Sequence, residues 1–250
     1  MDLYVITGAS RGLGRSLAQQ LMARDRTLLT IARNPDRSLE EVAAAAGVHL
    51  TQWALDLSHD IGVAARLEAW LHQQASRKHA TAALINNAGL LGRVGPVDAM
   101  DAEELVAVLR VGLEAPMVLA AAFLRATRHW PAQRRVLNVS SGAGRRPITG
   151  WAAYCAAKAG LDHFSRVTAE DEKLQPNPAR IVALGVGVID TDMQRQLRAA
   201  EDSGFPDKAR FVEFKESGQL AAPDEAAARV IAYLSRPDFG ANPVADVRDA

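Results

Sequence analysis

Thr7-Gly8-Ala9-Ser10-Arg11-Gly12-Leu13-Gly14 is the stretch on which the fold turns. It follows an apolar run at 3–7 and opens an amphipathic segment at 12–24, which gives the order strand, loop, helix. Gly8, Gly12 and Gly14 permit a tight turn and let the backbone approach a pyrophosphate with no Cβ in the way. The helix that begins here offers unpaired N–H groups and a dipole that favours phosphate charge. Ser10, Arg11 and Leu13 lie inside the same turn. Glycines also end strands for steric reasons alone. The strand before them and the helix after them make this a dinucleotide site.

Working outward, apolar runs alternate with longer amphipathic segments along almost the whole chain. Strands are expected at 3–7, 27–32, 50–55, 82–86, 135–139, 180–186 and 244–247, and helices at 12–24, 36–46, 59–77, 101–129, 151–173 and 223–235. The central runs are apolar throughout, which suits strands buried on both faces of a parallel sheet. Repeated strand–helix units predict an α/β chain, a doubly wound Rossmann-type sheet of about seven strands with helices on both faces. No low-complexity tract or linker divides the 250 residues, so 1–250 reads as a single dinucleotide-binding domain. The stretch 187–222 breaks the pattern, carrying Gly204, Pro206 and Gly218 among Phe205, Phe211 and Phe214. A long insertion near the C-terminal edge of such a sheet is where a substrate lid sits. A surface excursion with a short amphipathic helix is the alternative.

Composition narrows the partners. There are 29 basic and 29 acidic residues and no basic stripe, so nothing points to nucleic acid or an anionic membrane surface. No uninterrupted apolar stretch approaches the roughly 18 residues of a membrane span. The single cysteine, Cys155, excludes an internal disulfide framework and suits a reducing compartment. The first residues run straight into the glycine turn, leaving no room for a signal peptide, and a cytoplasmic location is expected. No metal-ligating cluster is read from the sequence.

An acid that holds a ribose 2′-hydroxyl is expected about 20 residues after the glycines. Ala32-Arg33-Asn34 stands there instead. Arg33 and Arg11 suit a 2′-phosphate by charge and by guanidinium geometry, which favours NADP(H). Asp56, with Leu57 beside it, follows the third strand and either contacts adenine or caps the next turn.

Tyr154 and Lys158 lie four apart in an alanine-rich segment, so a helix there projects both from one face. A free tyrosine titrates near pH ~10. A neighbouring ammonium is expected to draw that value down toward the working range. Ser141 stands just past the fifth strand, placed to hold a carbonyl oxygen that Tyr154 would protonate.

With those residues in hand, the chain resembles the short-chain dehydrogenase/reductase family over essentially its full length. The glycine turn, Asn86-Asn87-Ala88-Gly89, Ser141 and the Tyr154/Lys158 pair occur in the family's order. The resemblance implies that Ser141, Tyr154 and Lys158 are catalytic and that Lys158 also holds the nicotinamide ribose. It implies that Asn87 braces the sheet, that Ala88 and Gly89 line the cofactor cleft, and that Gly187, Val188 and Thr191 flank the nicotinamide. A narrower likeness, in 84–89, Gly150-Trp151-Ala152-Ala153-Tyr154-Cys155 and Asp190-Thr191-Asp192-Met193-Gln194, is to sepiapterin reductases and bacterial benzil reductases. It implies NADPH-driven reduction of a small ketone or diketone, with Trp151 and Met193 at the substrate and Asp246 as a polar anchor or simply the polar end of the last strand. Phe205, Phe211 and Phe214 join the apolar wall in this reading. Homodimers or homotetramers built on the helices at 101–129 and 151–173 are likewise implied.

Two positions depart from the family pattern. Gly112 stands where many members carry a catalytic asparagine, and Val186 replaces a proline before Gly187. The leading expectation is a reductase. The alternative is a weakly active protein that senses NADP(H) on the same fold.

Overall fold

The computed structural model describes residues 1–60, 62–201 and 204–249. Ile61 in the expected helix at 59–77, Asp202 and Ser203 in the expected lid, and Ala250 lie outside the described residues. Seven strands form one parallel sheet: β1 (Asp2–Thr7), β2 (Arg26–Ala32), β3 (His49–Ala54), β4 (Thr81–Asn86), β5 (Gln133–Ser140), β6 (Arg180–Gly185) and β7 (Val244–Asp246). Their spatial order is β3-β2-β1-β4-β5-β6-β7. The strand order reverses between β1 and β4, and in doubly wound sheets ligands bind at such a switch point.

Alternation along β1 divides the core. Tyr4 and Ile6 pack on the face covered by α1 (Gly12–Leu21), α2 (Ser38–Ala46) and α9 (Pro223–Leu234). Leu3 and Val5 pack on the other face, against α3 (Val63–Gln74) and α5 (Ala115–Ala126), with α6 (Ala152–Lys173) beside them. Period-two strands between two helical layers bury both faces, which explains their unbroken apolar character.

The segment expected as one helix at 101–129 is α4 (Ala102–Leu109), a π-helical turn at Arg110–Glu114, and then α5. Pro116 has no N–H to give the Gly112 carbonyl four residues back, a local reason for the widened turn. By length and composition the rod Ala102–Thr127 is long and apolar enough to cross a membrane, although Arg110 and Glu114 interrupt its apolar run. Part of its apolar surface, Leu119 and Phe123 included, is buried against the sheet, while Val106 and Met117 stay exposed.

The stretch 187–222 is more ordered than a loop. It holds α7 (Asp192–Ala199) and α8 (Lys208–Glu216), and Ile189 bridges Ala221 in parallel. These helices cover the C-terminal ends of the strands.

Candidate active site

A cleft of about 1300 Å³ runs along the carboxyl ends of the strands across the switch point. Every residue expected at the cofactor or substrate lines it, from Gly8 in the glycine turn to Asp246 at the end of β7. Phe211 and Phe214 line it too. Phe205 does not; it is buried behind Trp151, with the two rings stacked 5.9 Å apart.

The glycine turn fits a pyrophosphate. Gly8 has φ of 70°, and a Cβ on it would lie 2.9 Å from the Ala88 Cα. A Cβ on Gly14 would lie 2.2 Å from the Gly8 carbonyl oxygen, so no larger residue can stand there. The first turn of α1 has neither a side-chain cap nor an acid, leaving its N–H groups for an anion. Asn87 braces this turn, its Nδ2 donating to the Thr7 and Gly8 carbonyls at 3.0 and 3.2 Å. The Thr7 hydroxyl accepts from the Asn87 and Ala88 N–H groups at 3.0 Å, a role the sequence reading passed over.

Toward the adenine end, Arg33 and Asn34 leave β2 directly into the cleft. The nearest acid, Asp36, is turned away and tied to Arg15 at 2.5 Å. No carboxylate therefore meets a ribose at the end of β2. Asp56 lines the cleft with Leu57 and also caps, accepting from the Ser58 N–H at 2.9 Å and the Ser58 hydroxyl at 2.6 Å. The Ser58 hydroxyl bond leads in holding the Asp56 carboxyl below its ordinary value. Arg11 departs from expectation: it pairs with Asp192 of α7 at 2.9 Å, latching the covering segment to the glycine turn. Thr191 closes the same junction, with its Cγ2 3.2 Å from where a Gly12 Cβ would be. Gly187 keeps φ at 77°, so the turn after β6 forms without the family's proline.

At the chemical end, α6 presents Tyr154 and Lys158 from one face, both buried, beside Ser141. Ser141 Oγ accepts from the Ala143 N–H at 3.2 Å. Lys158 Nζ donates to the Val139 carbonyl at 2.7 Å and lies 5.6 Å from the Tyr154 ring centroid. Burial pushes the Tyr154 phenol up to about 12, opposed by its hydrogen bond with Ser141. Burial pushes Lys158 down to about 8, opposed by the charge of Asp162. The expected downward pull on Tyr154 is thus reversed in the free protein: desolvation disfavours both charged forms.

Trp151 forms the apolar wall, 5.7 Å from Tyr154 and 5.3 Å from Phe211 between ring centroids, and Met193 packs against the same cluster. Asp246 reaches the cleft, but both its oxygens are held by Arg248 at 2.7 Å, so it is not a free anchor. Leu91, Arg146, Ile148, Arg210 and Gln219 also line the cleft and were missed. Arg146 and Ile148 lie between Ser141 and Trp151 in the chain, and that position was the available signal.

A glycine turn at the switch point of a doubly wound sheet defines a dinucleotide-binding protein. Residues 3–202 match the short chain dehydrogenase family, and the chain belongs to that family of nicotinamide-dependent oxidoreductases. A benzil reductase ((S)-benzoin forming) of Bacillus cereus is 33% identical over 96% of each chain. A sepiapterin reductase of Xenopus laevis is 35% identical over 87% of this chain and 84% of its own. Among solved structures, the KRED1-Pglu enzyme is 26% identical with a TM-score of 0.81, covering 98% of this chain and 100% of that one. A metagenomic short-chain oxidoreductase in complex with NADP is 25% identical with a TM-score of 0.69, covering 98% and 94%.

Proposed function

We propose that the protein is an NADPH-dependent carbonyl reductase that converts a small ketone or diketone to an alcohol. The observation that carries this reading is the convergence of Ser141, Tyr154 and Lys158 at one end of the glycine-lined cleft. The bound nicotinamide supplies the hydride. Ser141 orients the carbonyl oxygen through its hydroxyl. Tyr154 holds a proton at its Oη, and burial, which raises its pKa to about 12, keeps that proton in place at neutral pH. Lys158 serves as a cation at the base of the site, where its Nζ donates to the Val139 carbonyl, and would hold the ribose of a bound cofactor. The wall of Trp151, Met193 and Phe211 excludes water and favours an apolar or aromatic substrate.

The preference for NADPH rests on Arg33, which lines the cleft with Asp56 as its charged neighbour, and on Asp36 being tied to Arg15. Arg11 would join Arg33 at a 2′-phosphate by releasing Asp192. The benzil and sepiapterin reductases among the relatives support the substrate class. The same reading takes the enzyme as a cytoplasmic homodimer or homotetramer. The alternative of a weakly active sensor rests on Gly112, which lies in the π-helical turn, and on Val186; the presence of Ser141, Tyr154 and Lys158 together argues against it.

The test follows NADPH absorbance at neutral pH with benzil, a simple aliphatic diketone and sepiapterin, with NADH and Tyr154→Phe in parallel. NADPH oxidation with at least one substrate is expected, falling at least ~100-fold in the variant. A preference for NADH would overturn the Arg33 argument alone. Tight NADPH binding with no turnover of any substrate would favour the sensor.

A further inference from the structure

The reaction just described leaves one buried charge beside its machinery without a task. Asp162 is 1% exposed and lies one helical turn beyond Lys158, so the two side chains share a face of α6. One of its oxygens accepts from the Ser140 hydroxyl, and the other accepts from Arg145 Nε at 3.2 Å. Lys158 meanwhile holds the Val139 carbonyl at 2.7 Å. Helix α6 thus grips the last two residues of β5, and Ser141 is the next residue along the chain. Arg145 braces the far side, donating from Nη2 to the Ala245 carbonyl at 2.7 Å, with Nη1 3.8 Å from Asp246.

We propose that Asp162, braced by Arg145, is a positioning residue: its carboxylate stands one helical turn from Lys158 as that lysine's counter-charge, and its grip on Ser140 fixes the strand end that presents Ser141. A buried carboxylate is costly unless it is paired, and Asp162 has Ser140 and Arg145 for partners and Lys158 one turn away. The titratable and charged groups at Lys158 are Tyr154 and Asp162, both from α6; behind Asp162 the network runs through Arg145, after β5, to Asp246 of β7 and its partner Arg248. Burial lowers the Lys158 pKa and Asp162 resists that fall. Loss of the carboxylate charge must therefore lower the lysine further. Loss of the Arg145 cation, which faces the same carboxylate at 3.2 Å, leaves that carboxylate to Lys158 alone and is expected to act in the opposite direction. The inference takes the roles of Ser141 and Lys158 from the reductase reading, but the charge relation stands without it.

The experiment titrates Lys158 in the cofactor-free protein by NMR of its Cε and Nζ, assigned with Lys158→Met, and measures the pH profile of carbonyl reduction alongside. In Asp162→Asn the Lys158 midpoint is expected to fall by about 1 pH unit, and the alkaline limb of kcat/KM to move down with it. In Arg145→Gln both are expected to rise. Ser140→Ala, which removes the tether and keeps the charge, is expected to lower kcat with the midpoint unchanged. An unchanged midpoint in a folded, NADPH-binding Asp162→Asn protein overturns the proposal. Should that variant not fold, a midpoint in Arg145→Gln that stays or falls overturns it. Midpoints that move as stated in a protein that reduces no carbonyl would support the charge relation and sink the reductase reading instead.

Discussion

His79 precedes β4, is 3% exposed, and stacks on Trp130 with ring centroids 5.1 Å apart. Neither of its ring nitrogens makes a hydrogen bond of full geometry, although the Gln74 backbone lies near enough to favour the charged form in part. Burial holds its pKa below the ordinary 6.5, so the folded protein keeps it neutral. The unfolded chain binds a proton here first as pH falls, and stability then rises with pH across that window. The contribution of neutral His79 to folding stability is therefore expected to be fully present above about pH 6.5 and to shrink as pH falls below it. His79→Phe keeps the stack and should flatten this part of the profile, as measured by urea unfolding at a series of pH values. A slope identical to the wild type would place the proton elsewhere. The same force acts at Tyr154 and Lys158, and there it separates what sequence can tell from what it cannot. Their spacing of four locates the pair, because helical geometry is local. The direction of the Tyr154 shift depends on the solvent excluded by Trp151 and the covering helices, which spacing does not record.

Helices carry their own surprises. The π-helical turn at Arg110–Glu114 holds Gly112 against α6, where a Cβ would come within 3.0 Å of the Ala157 Cβ. Ala157 is fully buried and immediately precedes Lys158. Restoring the family's asparagine by Gly112→Asn is therefore expected to strain α6, with a stability loss of about 1 kcal/mol or more by urea unfolding. A double-mutant cycle with Ala157→Gly should show a coupling of about 0.5 kcal/mol or more, and simple additivity would mean that the two positions do not press on each other. At the far end of α6, Glu172 is buried between Arg128 at 2.6 Å and the fully buried Arg134 at 3.3 Å, and it also accepts from the Ala179 N–H at 2.7 Å. Glu172→Leu strands those cations and is expected to cost about 3–5 kcal/mol. Stability within 1 kcal/mol or so of wild type would mean that water reaches the arginines. Neither feature was legible. A proline four residues after a glycine reads as ordinary helix, and Arg134 and Glu172 lie 38 residues apart with no periodic pattern to join them.

At the scale of the molecule, the sheet was readable because strands buried on both faces leave uninterrupted apolar runs, and the glycine turn because its backbone geometry excludes other residues. The covering helices α7 and α8 were harder. Their buried residues, Leu197 and Phe211, face a local cluster over the cleft rather than the sheet, so they add no strand–helix repeat to the sequence. What remains is the outer surface of the layer that carries α4, α5 and α6. Val106, Met117 and Val167 are 42%, 39% and 47% exposed there, on helices whose inner faces are already packed. Exposed apolar side chains on neighbouring helices are poorly placed for a monomer in water, and a face that repeats itself across a twofold axis covers them on both copies at once. The wild-type protein is accordingly expected to run as a dimer or a larger even assembly in size-exclusion chromatography with light scattering. Met117→Asp combined with Val167→Asp would place unpaired carboxylates in that contact, and should shift the protein to monomer while leaving NADPH binding intact. The cleft lies at the strand ends, away from this face, so a monomer that binds cofactor normally would assign these helices to assembly. A double variant of unchanged mass would show that the copies meet elsewhere, and a monomeric wild type would remove the dimer altogether.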